Sequence, residues 1–480
     1  QFASIQDLIS EGEIEGFATP SKAGLTKGTT AYNNAALKDI FLNDTPILDA
    51  SANNTNPQAE KFNFQNVGFT PRFGTSNQTH VPGIEGSQST TTVNSTPTNP
   101  LGTVSSGEAN AVTRQITNTA VDAAKVTITF PQLQKATDEG DLLGSSVNLK
   151  IQVQYNGGGF TDVINDTITG RTADAYQKEY RVSFTGSFPV DIRVVRLTID
   201  SSSTQLVDAF TWTSISEIVD DKQTYPNSAY TNLRIDSEQF SSIPKRAFRI
   251  RGVKVRIPAA NGGLTPTVVS NQTIADSLGL GTCSSFGFIH YPENYIFNGT
   301  MTAAQWCSDP AMILLDLLTT ERYGFGTHIT DANLDLFSFV AASRYSTGDK
   351  GGSKLISDGF GSNEPRFSCN VNIQGSTEAF DLINELAGVM RCFPIWSEGS
   401  VTITQDRPTD PSYLFSLANV GEGGFSYSGS SLKQRHTVIS VSYFNMDSRE
   451  IDYEVVEDTS AQNKLGIIKK DVKAFATTSR

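Results

Sequence analysis

Residues 147–164 read V-N-L-K-I-Q-V-Q-Y-N-G-G-G-F-T-D-V-I and carry the clearest fold signal in the chain. Apolar and polar residues alternate from Val147 to Tyr155, which is the two-residue period of a half-buried β-strand. Asn156 and the three glycines after it supply a hairpin turn before the next alternating run. The stretch therefore predicts an antiparallel hairpin.

Similar alternation flanks this hairpin on both sides. Val126, Ile128 and Phe130 alternate before it, and R-V-S-F and V-D-I-R-V-V-R-L-T-I-D follow it at 181–184 and 190–200. Together these segments predict a small antiparallel β-sandwich over residues 111–205. We expect this sandwich to be a domain inserted between two parts of another domain.

Residues 74–120 have a different composition, dominated by Ser, Thr, Asn, Gln, Gly and Pro with almost no periodic apolar residues. Such a segment cannot bury enough apolar surface to offset the entropy lost on ordering. We therefore expect a long flexible loop near residues 74–120.

The first fifty residues contain two local signals. Ile5, Leu8 and Ile9 have helical spacing and predict a short amphipathic helix. The run I-F-L-N-D-T-P-I-L reads as strand, turn and strand, with Asn43 and Asp44 as the turn residues.

Apart from this short N-terminal helix, the predicted helices lie after residue 302. Asp309 is placed to cap a helix whose first residue is Pro310, and a second helix is expected to begin at Asp331. A third is expected after Ser376, with one apolar face formed by Phe380, Ile383, Ala387 and Met390. The chain of 480 residues is too long for one core, so the sequence predicts a multidomain protein, mainly β with some α.

Motifs of catalytic and cofactor sites are absent from the sequence. It has no nucleophile elbow, no H-E-x-x-H, no phosphate-binding P-loop and only four scattered histidines. The loop D-G-F-G-S-N-E at 358–364 could hold a hard cation, although a Gly-rich turn explains it better. The four cysteines form no C-x-x-C pair and are interpreted as buried thiols. We predict no enzyme, no catalytic or metal-binding residues and no cofactor.

A basic strip, K-R-A-F-R-I-R-G-V-K-V-R at residues 245–256, stands out in a chain of net charge -13. Its cations are Lys245, Arg246, Arg249, Arg251, Lys254 and Arg256. The acidic balance argues against nucleic-acid binding by the whole chain. Two interpretations stay open: a solvated strand face, or an interface with carboxylates of a second subunit or another partner.

Several longer strings resemble the tip attachment (host specificity) protein J family of lambda-like long-tailed bacteriophages. They include I-S-E-G-E-I-E-G at 9–16, I-F-L-N-D-T-P-I-L-D at 40–49 and S-E-I-V-D-D-K-Q-T-Y-P-N-S-A at 216–229. The resemblance continues at R-I-R-G-V-K-V-R-I-P (249–258), L-T-T-E-R-Y-G-F-G (318–326) and D-G-F-G-S-N-E-P-R-F-S-C-N (358–370). The strings keep the family's order and cover most of the chain.

The resemblance implies a homotrimeric central hub at the distal end of the tail in the virion. Each subunit would carry two tube-like β-barrel hub domains, the first one split by the inserted sandwich. On this basis we expect a first hub domain at 1–110 plus 206–260, the sandwich at 111–205, a mixed or helical domain at 261–345, and a second α+β hub domain at 346–480. The ring would close the tail tube, anchor tip and fibre proteins, and open for DNA ejection.

The partners implied are other copies of the chain, distal tail and tip proteins, and the tape measure protein in the lumen. Phage DNA would pass without specific binding. Family members usually continue into fibre-like, receptor-binding segments, so we expect host receptor contact through segments beyond Arg480 or through a separate fibre protein. Two alternative functions stay open: a receptor-binding adhesin that uses the polar loop, and a cell-wall-degrading tail enzyme.

Overall fold

The computed structural model describes residues 2–348, 355–375, 378–397, 399–446 and 448–480. The chain forms two compact units. The first combines residues 1–78 with 226–480, and the second, residues 79–225, is inserted between these two parts in the sequence. Strands predominate in both units, so the chain is mainly β with some α. Within the described residues, no helix is long and apolar enough to cross a membrane.

The first unit opens with short strands and two short helices. They are β1 (Phe2–Glu11), β2 (Ile14–Phe17), α1 (Ala18–Lys22), α2 (Thr30–Ala36), β3 (Ile40–Leu42), β4 (Thr45–Pro46) and β5 (Gly68–Phe73). The helix predicted from Ile5, Leu8 and Ile9 is wrong, because this segment is strand β1. Exposed and partly buried residues alternate along β1, and Ile5 and Ile9 are among the partly buried ones. The strand pairs with residues that follow the inserted unit in the sequence, with Phe2 opposite Asp236. Long-range strand pairing outweighs the local spacing.

The turn predicted at Asn43 and Asp44 is confirmed. Both residues have positive φ, 47° and 67°, which suits the two-residue hairpin turn that joins antiparallel strands. Strands β3 and β4 pair across it, with Leu42 opposite Thr45.

The inserted unit contains two four-stranded antiparallel sheets. Its elements are β6 (Glu85–Ser95), α3 (Val104–Ala109), β7 (Val112–Ile116), β8 (Ala123–Phe130), β9 (Gln134–Ala136), β10 (Leu142–Leu143), β11 (Ser145–Tyr155), β12 (Thr161–Gly170), β13 (Tyr176–Ser183), β14 (Val190–Arg196), β15 (Leu206–Val207) and β16 (Thr211–Asp220). The strand orders are β12-β11-β14-β7 and β13-β8-β16-β6. One cluster of buried side chains contains residues of both sheets, including Ile151 of β11 and Trp212 of β16.

The flexible loop predicted for residues 74–120 is corrected by the structure, because β6, α3 and β7 lie there. Strand β6 pairs along its length with β16, and the hydroxyl oxygens of Thr90 and Ser216 lie 2.8 Å apart. A strand at the edge of a sheet needs no apolar alternation, and β-branched Thr favours extended backbone. Because β6 and β16 belong to the inserted unit, it extends beyond the predicted bounds 111–205 at both ends.

The first unit continues after the insertion with the remaining elements. They are β17 (Ser228–Asp236), β18 (Arg246–Phe248), β19 (Ile250–Val255), β20 (Thr267–Val269), α4 (Gln272–Ser277), β21 (Phe288–His290), β22 (Gln305–Trp306), α5 (Pro310–Thr319), α6 (Leu336–Thr347), β23 (Ile356–Ser357), β24 (Asn363–Glu364), α7 (Ala379–Val389), β25 (Cys392–Ser397), β26 (Ser400–Gln405), β27 (Val438–Asn445), β28 (Glu450–Glu457), α8 (Thr459–Leu465) and β29 (Lys469–Lys473).

Strands from before and after the insertion share sheets in the first unit. The orders β1-β17-β5, β18-β3-β4 and β2-β19-β22 each join the two parts. The C-terminal sheet has the order β28-β27-β29. In the described part of the chain no sheet closes into a barrel, although the sequence predicted barrel-like hub domains. Each sheet has two to four strands, which is too few to close, since small barrels need about eight.

Helices α5, α6 and α7 supply the largest core. The cap by Asp309 and the start of α5 at Pro310 are confirmed. Helix α6 begins at Leu336, capped by Asp335, and not at Asp331. One core cluster includes side chains from Val255 to Ile403, so it spans residues assigned by sequence to three different domains. The third helix, predicted after Ser376, is confirmed as α7, which begins at Ala379.

Candidate assembly interface

The basic strip at residues 245–256 is largely neutralised within the chain. Arg246 donates to both carboxylate oxygens of Asp7 at 2.6 and 2.8 Å, and Lys254 Nζ lies 2.7 Å from Glu13 Oε1. Arg256 makes a similar two-point contact with Asp331 at 2.7 and 2.8 Å. These pairs connect β18, β19 and the residue after β19 to β1, to the segment before β2 and to the segment between α5 and α6.

The other two arginines of the strip also have partners within the chain. Arg249 Nε donates to Asp39 Oδ1 at 2.9 Å, and Asp39 is fully buried. Burial raises the pKa of the Asp39 carboxyl above its usual range, while hydrogen bonds from Thr19 and the charge of Arg249 oppose this rise. The Asp39 carboxylate therefore depends on Arg249 for its nearby countercharge.

Arg251 is 7% exposed and lies 4.2 Å from the ring centre of Trp306. Its guanidinium donates to the Ser270 carbonyl at 2.6 Å, and burial lowers its pKa from the usual value. This explains how an arginine occupies the apolar side of β19. Lys245 is exposed, and no carboxylate among the described residues forms an ion pair with it. Contact between the basic strip and a partner stays a prediction. The ion pairs within the chain neutralise most of the positive charge on which that prediction was based.

A buried carboxylate lies at the start of α5. Asp309 accepts hydrogen bonds from the backbone N–H groups of Ala311 and Met312 and from the Ser343 hydroxyl at 2.7 Å. Burial raises the pKa of Asp309 to about 6, against the opposing effect of these hydrogen bonds. No cation is among the groups that shift it. Its role is therefore structural, because it caps α5 and joins it to α6.

The cysteines and the loop at 358–364 form no cluster of metal ligands among the described residues. All four cysteines are buried and unpaired with one another. Within the described residues, no three His, Cys, Asp or Glu side chains are grouped to hold a metal ion. Asp358 Oδ1 accepts hydrogen bonds from the backbone of Phe360 and Ser362, so the loop is the turn between β23 and β24.

The main surface feature is an accumulation of exposed apolar side chains between residues 356 and 472. Among the described residues, more than half of the large hydrophobic side chains that are exposed lie in this part of the chain, which is about a quarter of its length. Leu414 is 80% exposed, Leu417 80% and Tyr427 92%. Exposed apolar side chains are candidates for burial against a partner, since apolar patches mark interaction surfaces.

The exposed residues lie on a hairpin, a helix, a polar segment and the C-terminal sheet. They include Phe380 of α7, Phe393 and Trp396 of β25, Tyr413 and Phe415 of the segment after β26, and Ile451, Tyr453 and Val455 of β28. We call this set the apolar surface. The prediction for α7 is only partly right, since Ala387 and Met390 are buried whereas Phe380 is exposed.

Sequence reasoning missed the apolar surface, although one signal was present. The run Y-L-F-S-L at 413–417 lies between Pro- and Gly-rich stretches and has no strand or helix of its own. Such a run in a polar segment indicates a contact that the single chain does not provide.

Comparison with known proteins identifies related sequences. Residues 103–221 match the family model for the FNIII-A domain of tip attachment protein J. The chain is 29% identical over 455 residues to tip attachment protein J of Escherichia phage SECphi27, covering 92% of this chain and 33% of that relative. It is 27% identical over 440 residues to tip attachment protein J of Escherichia phage SECphi4, with coverage of 91% and 33%. The chain therefore spans about a third of the length of these curated relatives.

The solved structures that align with this chain are only distantly similar to it. One described as "CBM4 structure and function" aligns with 39% of this chain and 95% of its own at 14% identity, with a TM-score of 0.14. A likeness this low supports no statement about fold or function.

Proposed function

The chain belongs to the tip attachment protein J family, and from this relation we propose that it is a structural hub of the bacteriophage tail tip. The family predicted from sequence is confirmed, and as a member the chain is a virion component of the tail tip. In this proposal three copies form a ring that closes the distal tail tube. The ring anchors neighbouring tip and fibre proteins and opens for DNA ejection after host attachment.

The apolar surface is the observation that carries the ring. Side chains such as Phe393, Trp396, Leu414 and Tyr453 are each more than 60% exposed in the single chain. Burying such groups is the main favourable contribution to association, at about 25 cal/mol per Å² of apolar area. Obligate interfaces between identical subunits are the most apolar class of interface, which suits copies of the chain as the partner.

The narrow sheets of the first unit support the same proposal. A tube requires many adjacent strands, and a sheet of two or three strands supplies only a segment of its wall. Copies around an axis would place such segments side by side. We propose that the two tube-like hub regions of each subunit gain their barrel character in this way, with the tape measure protein inside the lumen.

The inserted unit is proposed to be a β-sandwich of the fibronectin type III kind. Its two four-stranded sheets share one core, and the family match at 103–221 falls within it. The net charge of -13 suits a protein next to the route of DNA, since it repels phosphate and prevents retention. The curated relatives are named as tip attachment proteins, so we assign the chain no catalytic activity.

The adhesin alternative loses its original support. It relied on a flexible polar loop at 74–120, and this segment contains β6, α3 and β7. Host receptor contact is therefore proposed for segments beyond these 480 residues or for a separate fibre protein.

Light scattering coupled to gel filtration tests the ring. At micromolar concentration the 51.9 kDa chain is expected to elute as a particle of three copies, about 156 kDa. A chain that stays at the mass of one copy at every concentration and salt level would contradict the proposal.

A further inference from the structure

The C-terminal sheet has two free edges. In the described part of the chain, β28 and β29 each pair only with the central strand β27. Seven of the eight residues of β28 and all five of β29 are exposed. Each outer strand thus presents a row of unpaired backbone N–H and C=O groups, which is a ready template for another strand.

The two edges carry opposite charge. Strand β28 contains Glu450, Asp452, Glu454 and Glu457 and no basic residue, whereas β29 contains Lys469, Lys470 and Lys473 against Asp471. Arg480 pairs with Glu454, and Lys469 lies 2.9 Å from Asp471.

Four charges of these edges have no ion-pair partner among the described residues: Glu450 and Glu457 on β28, and Lys470 and Lys473 on β29. Identical edges that met each other would oppose like charges, which is unfavourable. The acidic edge of one copy and the basic edge of another are complementary.

The strand directions allow this contact to repeat. Strand β29 runs parallel to β27 and β28 runs antiparallel to it. If copies stand side by side with the same orientation, β29 of one copy meets β28 of the next in the antiparallel sense. Such a contact uses two different surfaces of each copy, and contacts of this kind generate rings when the rotation closes.

We infer that β28 of one copy pairs edge to edge with β29 of the neighbouring copy, so that the C-terminal sheets form a continuous intersubunit sheet. This inference rests on the proposed ring and assigns the strands that make its contact. The exposed row of Ile451, Tyr453 and Val455 on β28, with Phe444 beside it on β27, lies on one face of the sheet. Edge pairing extends that face into the next copy and gives the row apolar neighbours.

Charge exchange tests the assignment. The variants are Lys470→Glu with Lys473→Glu on β29, Glu450→Lys with Glu457→Lys on β28, and the combination of all four. Each double variant is expected to weaken self-association at least about tenfold at low salt, because like charges then face each other. The combined variant restores opposite charge at every contact and is expected to return to within about threefold of the wild-type dissociation constant.

The double variant Lys135→Glu with Glu139→Lys is an exchange in the inserted unit that keeps the net charge, as the combined variant does, and it should leave self-association unchanged. Sedimentation velocity at two salt concentrations measures the constants, and circular dichroism checks that each variant is folded. If the wild-type chain assembles and every variant assembles equally well, the strand assignment is overturned but the ring is not. Loss of assembly in both double variants without recovery in the combination would also overturn it.

A wild-type chain that does not self-associate would overturn the proposed function itself. Mixing the two double variants gives a further readout. Every mixed contact between them is complementary, yet a ring of three cannot alternate two kinds of subunit. The mixture is therefore expected to form even-numbered particles and no closed trimer, whereas trimers in the mixture would contradict the edge assignment.

Discussion

Replacing Asp309 by asparagine is expected to remove a large pH dependence from the stability of α5. The carboxyl is fully buried, and its pKa is raised from 3.8 to about 6. Between these two pH values the folded state binds more protons at this site than the unfolded state. The stabilising contribution is therefore complete below about pH 4 and is lost as the pH rises through about 6.

The size of the effect follows from the pKa shift. A shift of about two units corresponds to about 3 kcal/mol, at about 1.4 kcal/mol per unit, or about a hundredfold in an equilibrium constant. Asparagine keeps the oxygen that accepts from the backbone of Ala311 and Met312, and it is as good an N-cap as aspartate. Its amide can donate to the Ser343 hydroxyl, so the packing between α5 and α6 is retained.

Hydrogen exchange of α5 amides, read by mass spectrometry, measures the effect locally. After correction for intrinsic exchange, the ratio of variant to wild-type protection is expected to rise about a hundredfold from pH 4 to pH 7.5. Glu293→Gln, at an exposed position of the same unit, serves as the control and should give a constant ratio. An Asp309→Asn ratio that does not change with pH would refute the reasoning.

Three further changes have defined outcomes. Arg249→Ala leaves the buried Asp39 carboxylate without its ion-pair partner and should lower the free energy of unfolding of the first unit by about 1–3 kcal/mol in urea titrations. Lys245→Ala is the control and should have little effect. Equal effects of the two changes would contradict the pairing. Tyr453→Ser removes an exposed ring and should weaken self-association without lowering the melting temperature of the single chain; an unchanged dissociation constant would exclude this ring from the interface. Deleting residues 85–95 removes β6 and should abolish the calorimetric transition of the inserted unit, which a dispensable loop would not do.

Local patterns predicted the elements whose signals lie within a short stretch of sequence. The alternation at 147–155 predicted β11, the turn residues Asn43 and Asp44 predicted a hairpin, and Asp309 with Pro310 predicted the start of α5. Each of these signals acts through neighbouring residues, so the sequence alone contains it. The family was predictable for a different reason, because ordered strings in the chain resemble those of the tip attachment protein J family.

The failures involve partners distant in sequence. Ile5 and Ile9 have helical spacing, but β1 is a strand because β17 pairs with it across the insertion. The polar segment β6 is a strand because it pairs with β16 as an antiparallel neighbour. The basic strip looked free in the sequence, and the structure pairs its cations with acids from distant segments, such as Asp7 and Asp331. The apolar surface was missed because its partner lies outside the chain in our proposal.

A cryo-electron microscopy map of the assembled chain tests the central claim most directly. The account predicts a closed ring of three copies, with β28 of each copy paired antiparallel to β29 of the next and Tyr453 covered at the contact. A particle in which both edges of the C-terminal sheet face solvent, or a chain that forms no ring, would contradict it.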